Sequence, residues 1–430
     1  MRPFDDGFDC CIKVIQYVRF LIGFKYFMGL KMEKMKDRRL STKQFVIQVI
    51  VISFSRLIMN TARRFVYTYV PVLSRGLGVP ITSITSLIAF NQGTSVLGVV
   101  FGPLGDRFGY KLMILVGLMC LTSGMLAVGI IPLYATLAIA MLLAGLGKSI
   151  LDPAIQAYVG QRVPYEKRGL IMGLLEISWA GSTLVGIPVV GILIEKAGWQ
   201  APFLMIGVLT LICLIIIWFI FPKDRRDLTQ SQKHNNPIFS QLNKLLRNRA
   251  TLCAALFSML IAIANDNIFV IYGVWMESTF NLSIVALGLS TTVIGVAELI
   301  GEGFTAFLSD RIGLKKAIFI GLIISGLSFG LLPFADKSLP LALSAIFVIF
   351  LSFEFTLVTS LGLISELAPE SRGAMMSTFH AAAGIGRVFG ASMGGYVWRN
   401  AGLIGISITS VFFTLIAIGV FVWGLHDWKK

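Results

Sequence analysis

Arg56, Asn60, Arg63 and Tyr67 follow one another at intervals of 4, 3 and 4, which on a helix of 3.6 residues per turn sets them on one face, with Arg64 beside the stripe. Guanidinium groups gathered on one face of an apolar segment make a site for an anion or for the carboxylate of a zwitterion. Thr291, Gly295, Glu298, Glu302 and Thr305 repeat nearly the same spacing later in the chain, and Asn265-Asp266-Asn267 interrupts another apolar run, where a helix break or polar kink is expected. Lys148, Asp152 and Gln156 form an i, i+4, i+8 stripe, and His380 and Arg387 flank Gly384. Arg56, Asn60, Arg63, Arg64, Tyr67, Asn91 and Lys148 are the candidate solute ligands. Asp266 and Glu298 are the candidate proton carriers, because a carboxylate held away from water can bind and release a proton near neutral pH.

These charges matter because of what surrounds them. Of the 430 residues, 56% are hydrophobic and 14% charged, with a mean hydropathy of +0.82, so the solvent for most of the chain is lipid. A helix needs about 20 apolar residues to cross the hydrocarbon, and twelve such runs are present, roughly 44–72, 83–105, 111–131, 133–159, 168–194, 200–222, 251–277, 284–308, 315–334, 339–366, 372–398 and 401–425. They predict helices α1 to α12. No run has the alternating pattern of a membrane barrel. Each Arg, Lys or Asp at a helix centre costs about 2.5–3.5 kcal/mol on insertion scales. Arg56, Arg63, Arg64, Lys148, Asp152 and Glu176 in the first half, and Asp266, Glu298, Glu302, Glu354 and Arg387 in the second, therefore belong inside a bundle rather than against lipid. The first half is electropositive within, the second electronegative.

The net charge of +15 follows the membrane rather than a nucleic-acid face. Ten Lys and Arg lie in 1–43 and seven in 223–250, while the loops of the opposite side hold only Arg75, Lys196, Lys337 and Arg399. The excess of positive charge in cytoplasmic loops places both termini and the 223–250 linker in the cytoplasm of an inner or plasma membrane protein. The expected divisions are a cytoplasmic N-terminal segment 1–43, a six-helix bundle 44–222, the linker 223–250 and a second six-helix bundle 251–430. The five cysteines, Cys10-Cys11, Cys120, Cys213 and Cys253, make neither a disulfide framework nor a metal spacing.

The chain is also written twice. Gly102, Asp106, Arg107, Gly109 and Lys111 recur 204 positions later as Ala306, Asp310, Arg311, Gly313 and Lys315, and the same offset relates Gly117 to Gly321, Arg168-Gly169 to Arg372-Gly373, and Gly186, Gly191 and Gly198 to Gly390, Gly395 and Gly402. A parallel duplication in an apolar chain is the organisation of carriers whose solute site lies between two pseudo-symmetric halves. On the loop Gly102-x-x-x-Asp106-Arg107-x-Gly109-x-Lys111 and its weaker copy, the chain resembles the major facilitator superfamily from about residue 44 to 425. The resemblance implies an all-α membrane protein of twelve transmembrane helices in two six-helix bundles, working by alternating access. It also implies a gate at Gly102, Asp106, Arg107, Gly109 and Lys111, echoed at Asp310 and Arg311.

Two features depart from the family. The helix α4 arginine of many proton-coupled members is Met141 here, before Gly145-Leu-Gly147. The glycine-rich α5 motif of antiporting members is broken by Ile187 between Gly186 and Pro188. The expected function is secondary active transport of a small organic solute, with proton-coupled efflux leading, uptake or exchange of an anionic metabolite competing, and a transport-inactive membrane sensor as the other class. Direct use of ATP is not expected, since no Gly-x-x-x-x-Gly-Lys-Ser/Thr loop occurs. No cofactor, metal or nucleic acid is expected, nor an enzymatic activity, and the expected partners of a monomer are its solute, protons and the bilayer. Each charged group also has a plainer reading as an inter-helix salt bridge. For Glu176, Glu302 and Glu354 that pairing role is the expectation, and Lys148 and Asp152 can simply neutralise one another.

Overall fold

The computed structural model describes residues 42–98, 101, 104–105, 108–163, 171, 175–222, 247–367 and 372–426, with backbone alone at a few of them, Asp310 included. Every regular element among these residues is helical. Helix α1 is Thr42–Thr68, continued after a bend at Tyr69 by Val70–Leu77. α2 starts as Ile81–Gly93 and tightens into the 3₁₀ turn Thr94–Leu97. α3 is Tyr110–Ile130, α4 Tyr134–Arg162 and α6 Ala201–Ile220. α5 is described over Leu175–Ala197. The second half holds α7 (Arg249–Phe269, then Tyr272–Phe280), α8 (Ile284–Ser290, then Thr292–Ile312), α9 (Leu314–Leu331) and α10 (Leu339–Leu367).

The last helix, Arg372–Gly424, has 53 residues. At about 1.5 Å per residue it is more than twice as long as the roughly 30 Å of hydrocarbon. Gly402, at φ 57° and ψ −152°, divides it into α11 and α12. Its counterpart 204 positions earlier, Gly198, also has positive φ and separates α5 from α6. The twelve helices expected from hydropathy are therefore present. Exposed large side chains such as Trp218, Phe219, Phe389 and Tyr396 make up the lipid-facing surface of an integral membrane protein.

The internal repeat survives in three dimensions. Gly109 and Gly313, at φ 96° and 89°, open α3 and α9 in a conformation that a Cβ would strain. Two residues on, Lys111 Nζ donates to the carbonyls of Trp218 at 2.7 Å and Phe221 at 2.5 Å, and Lys315 Nζ donates to that of Leu425 at 2.5 Å. Each lysine thus satisfies carbonyls left open at the end of α6 or α12 and favours the negative end of that helix dipole.

One expected break lies elsewhere. α7 stays helical through Asn265-Asp266-Asn267 and turns only at Val270–Ile271. The polar side chains there are spent on neighbours instead: Asn267 Nδ2 donates to the Ile406 carbonyl and to Ser410 Oγ on α12. The N-terminal segment to residue 41 and positions 223–246 of the linker lie outside the described residues.

Candidate functional site

The bundles meet tightly at the face away from the chain termini. The Tyr69 hydroxyl, at the bend of α1, donates to the Ile187 carbonyl on α5 at 3.2 Å. A Cβ on Gly191 of α5 or on Gly288 of α8 would lie 2.3 Å from that oxygen, so one tyrosine fills a slot between helices of opposite halves. A Cβ on Gly273 of α7 would lie 1.9 Å from the Thr68 carbonyl oxygen. Arg75 and Glu277 close the rim with an exposed 2.7 Å ion pair. On the termini side, Gln156 and His380, on the inward registers of α4 and α11, are exposed instead, and the Glu176 side chain is 47% exposed.

Between these ends sit two networks anchored on adjacent arginines of α1. Arg64 and Glu298 form a two-pronged pair at 2.6 and 3.1 Å, each only a few per cent exposed. Trp179 Nε1 donates to the same carboxylate at 3.2 Å and Thr183 Oγ1 at 3.1 Å, and the guanidinium lies 4.3 Å from the Trp179 ring. Helix α5 reaches Glu298 through a local widening. Pro188 has no N–H to give back along the helix, and the preceding Ser182–Gly186 adopts a π turn. That turn directs Thr183 at Glu298, while the Thr183 carbonyl accepts the Thr291 hydroxyl of α8 at 3.1 Å.

The second network is a chain rather than a clamp. Arg63 donates to Asn91 Oδ1 at 2.9 Å and to Gln92 Oε1 at 2.8 Å. Gln92 donates to the Tyr67 hydroxyl at 2.5 Å, and Tyr67 donates to Asp266 Oδ1 at 3.3 Å. The other Asp266 oxygen stands 3.8 Å from Arg387 Nε. Asn91, expected as a solute ligand, is occupied on both sides, since its Nδ2 donates to the Met141 carbonyl at 2.5 Å. Tyr67 also stacks on Phe269, ring centres 4.5 Å apart, so the chain runs between apolar walls from one bundle into the other.

Nearer the termini, Arg56 holds Asp152 at 3.3 Å and Glu176 at 3.1 Å. Lys148 bonds Asp152 at 3.1 Å and Asn60 Oδ1 at 2.6 Å, while Asn60 Nδ2 is buried with no hydrogen-bond partner. The expected stripe of Arg56, Asn60, Arg63 and Tyr67 is thus brought together, and Lys148 and Asp152 neutralise each other as the plainer reading had it. Glu176 also pairs as expected. Glu302 and Glu354 do not: neither has an ion pair or hydrogen bond among the described residues.

Gln92, Trp179 and Thr183 were not singled out from the sequence. The spacing of Glu176, Trp179 and Thr183 at i, i+3 and i+7 is the signal that marks their shared face. Of the expected gate, Gly102, Asp106 and Arg107 lie outside the described residues and the Asp310 side chain is not described. Gly109 opens α3, Lys111 bonds the end of α6 within the same bundle, and Arg311 is exposed.

With this geometry in hand, the comparisons with known proteins agree on the class. The model of the Major Facilitator Superfamily matches residues 52–265 and again 254–427. The chain belongs to the Major Facilitator Superfamily and is a secondary transporter of small molecules. It is 24% identical over 329 residues, 76% of its length and 83% of the other's, to the uncharacterized MFS-type transporter YceJ of Bacillus subtilis (strain 168). It is 28% identical over 337 residues, 74% of its length and 79% of the other's, to the multidrug resistance protein MdtG of Proteus mirabilis (strain HI4320). Among solved structures, a bacterial homolog of the human lysosomal transporter Spinster, inward-facing and unoccupied, superposes with a TM-score of 0.74 at 12% identity, covering 90% of this chain and 98% of that one.

Proposed function

We propose that the protein is a proton-coupled exporter of a small amphipathic organic solute, with residues 44–222 and 251–430 as the two moving bodies and both termini in the cytoplasm. The observation that carries this reading is the Arg63–Gln92–Tyr67–Asp266–Arg387 chain. It is a buried, connected path between the bundles that ends on a carboxylate held only loosely, at 3.8 Å, by its cation. Protonating such a carboxylate breaks little, and the Arg387 it releases is free to repack against the other bundle. That gives one proton event a differential effect on two conformations, which coupling requires.

Glu298 has a different role in this account. Its carboxylate accepts from Arg64, Trp179 and Thr183 and pins α1 and α5 to α8 while the far face is shut. The exposed polar residues on the termini side support a state open to the cytoplasm, from which a solute is captured for export, and the multidrug naming of one relative supports the same direction. Asn60 Nδ2 and Arg63 supply polar contacts for the solute. Exchange of an anionic metabolite is the second reading, favoured by the absence of a carboxylate partner within salt-bridge distance of Arg63 among the described residues.

The test is uptake into and release from proteoliposomes for a panel of neutral, anionic and cationic solutes, with and without an imposed pH gradient. Gradient-driven movement of amphipathic solutes against their own gradient is the expected result. Solute exchange indifferent to pH for every member of the panel contradicts it.

A further inference from the structure

Most ionisable groups buried between the helices have an opposite charge within 4 Å: Arg56 with Asp152 and Glu176, Lys148 with Asp152, Arg64 with Glu298, and Arg387 with Asp266. Arg63 has two amide oxygens. Among the described residues Glu302 and Glu354 have neither. Glu354 on α10 is 6% exposed, which makes it a buried carboxylate with no hydrogen bond and no ion pair among the described residues. Burying a charged group in that way is costly unless a partner arrives.

Packing fixes where Glu354 points. α8 approaches α10 at Gly301, where a Cβ would lie 3.0 Å from Glu354 Cβ and 2.9 Å from the Leu351 carbonyl oxygen. One turn on, the hydroxyls of Thr305 and Thr359 are 3.3 Å apart. Glu354 therefore lies in the α8–α10 contact, beside Glu302, the residue next to Gly301, and Glu302 is partly exposed. The charged groups facing Glu354 are Glu298 and Glu302 from α8, Glu176 from α5 and Arg64 from α1. Arg64 is already spent, since both its terminal nitrogens bond Glu298. Among the described residues the locality carries more negative than positive charge, and its one deeply buried, unpartnered charged group is a carboxylate.

We propose that Glu302 and Glu354 form a subsite for the positive group of an organic cation entering from the termini side. Two carboxylates leave most of the roughly six to eight oxygen positions of a metal ion such as calcium unfilled, and they suit the diffuse charge of an ammonium- or phosphonium-like group. A proton competes for the same oxygens. The subsite rests on the exporter reading and gives it a substrate class: amphipathic monocations.

The test is equilibrium binding of tetraphenylphosphonium, and of its isosteric anion tetraphenylborate, to the full-length purified protein at alkaline and acidic pH. The expected result is binding of the cation in preference to the anion, weakening on acidification. Glu354→Gln is expected to lower affinity for the cation by about tenfold or more, the worth of a charge-assisted contact, and to flatten the pH dependence. Glu302→Gln moves both in the same direction and serves alone if Glu354→Gln does not fold. Glu195→Gln, an exposed carboxylate at the far end of α5, leaves binding unchanged. Equal cation affinity in wild type and both glutamine variants, or tetraphenylborate binding as tight as tetraphenylphosphonium binding, overturns the subsite. Gradient-driven transport of uncharged solutes with no tetraphenylphosphonium binding removes the subsite and leaves the exporter standing. Glu354-dependent cation binding with pH-indifferent transport does the reverse.

Discussion

Arg63 and Arg64 are neighbours in the chain, both buried, yet they sit in opposite kinds of environment. Arg64 faces a carboxylate of the other bundle at 2.6 Å and shares it with an indole and a hydroxyl. Arg63 reaches a carboxylate only through an amide and a phenol, at the end of a chain whose last ion pair is 3.8 Å long. A saturated ion pair resists change because every donor must be left behind when it opens. A loosely held carboxylate can accept a proton while its neighbours adjust. In the proposed mechanism, the difference between clamp and chain is where structure and coupling separate on one helix face.

The clamp predicts the largest effect. Glu298→Gln leaves Arg64 buried without its counter-charge and is expected to cost about 3–5 kcal/mol of stability, read as a lowered unfolding midpoint of the detergent-solubilised protein. Replacing both partners together, Arg64→Met with Glu298→Met, is expected to recover most of it. A loss under about 1 kcal/mol for the single variant, the range of an exposed pair, breaks the distinction.

Closure of the far face comes next. Gly273→Val puts side-chain atoms into the Thr68 carbonyl, so the protein is expected to fold, to hold its far face open and to lose transport. Spin labels near Arg75 and Glu277 then report a longer distance than in wild type; an unchanged distance with normal transport refutes the seal. Tyr67→Phe removes one link of the chain, about 0.5–1.5 kcal/mol, and is expected to weaken coupling more than stability. Smallest of all is Arg75→Gln, where an exposed pair contributes about 0–1 kcal/mol and the unfolding midpoint should hardly move.

Much of this was legible in the residues. Twelve apolar runs, the offset of 204 and the face shared by Arg56, Asn60, Arg63 and Tyr67 depend on hydropathy and helical period, which act locally. The partners were not legible, because they depend on which helices of opposite halves touch. Nothing in the sequence distinguishes Glu298, which is clamped, from Asp266, which is loosely held, and both were expected to carry protons. Glu302 and Glu354 were expected to pair and have no partner among the described residues, where Arg64 is taken by Glu298. Lys111, a gate residue by family resemblance, also caps α6 in its own bundle, a contact that the motif does not announce. The polar Asn265-Asp266-Asn267 run looked like a helix break but supplies side chains to other helices while its backbone stays helical.

The central claim is that Asp266 carries the coupling proton. Asp266→Asn in proteoliposomes tests it most directly, comparing solute exchange across equal pH with accumulation driven by an imposed pH gradient. The account predicts that exchange persists while gradient-driven accumulation disappears. Accumulation at the wild-type ratio in the Asp266→Asn protein contradicts it.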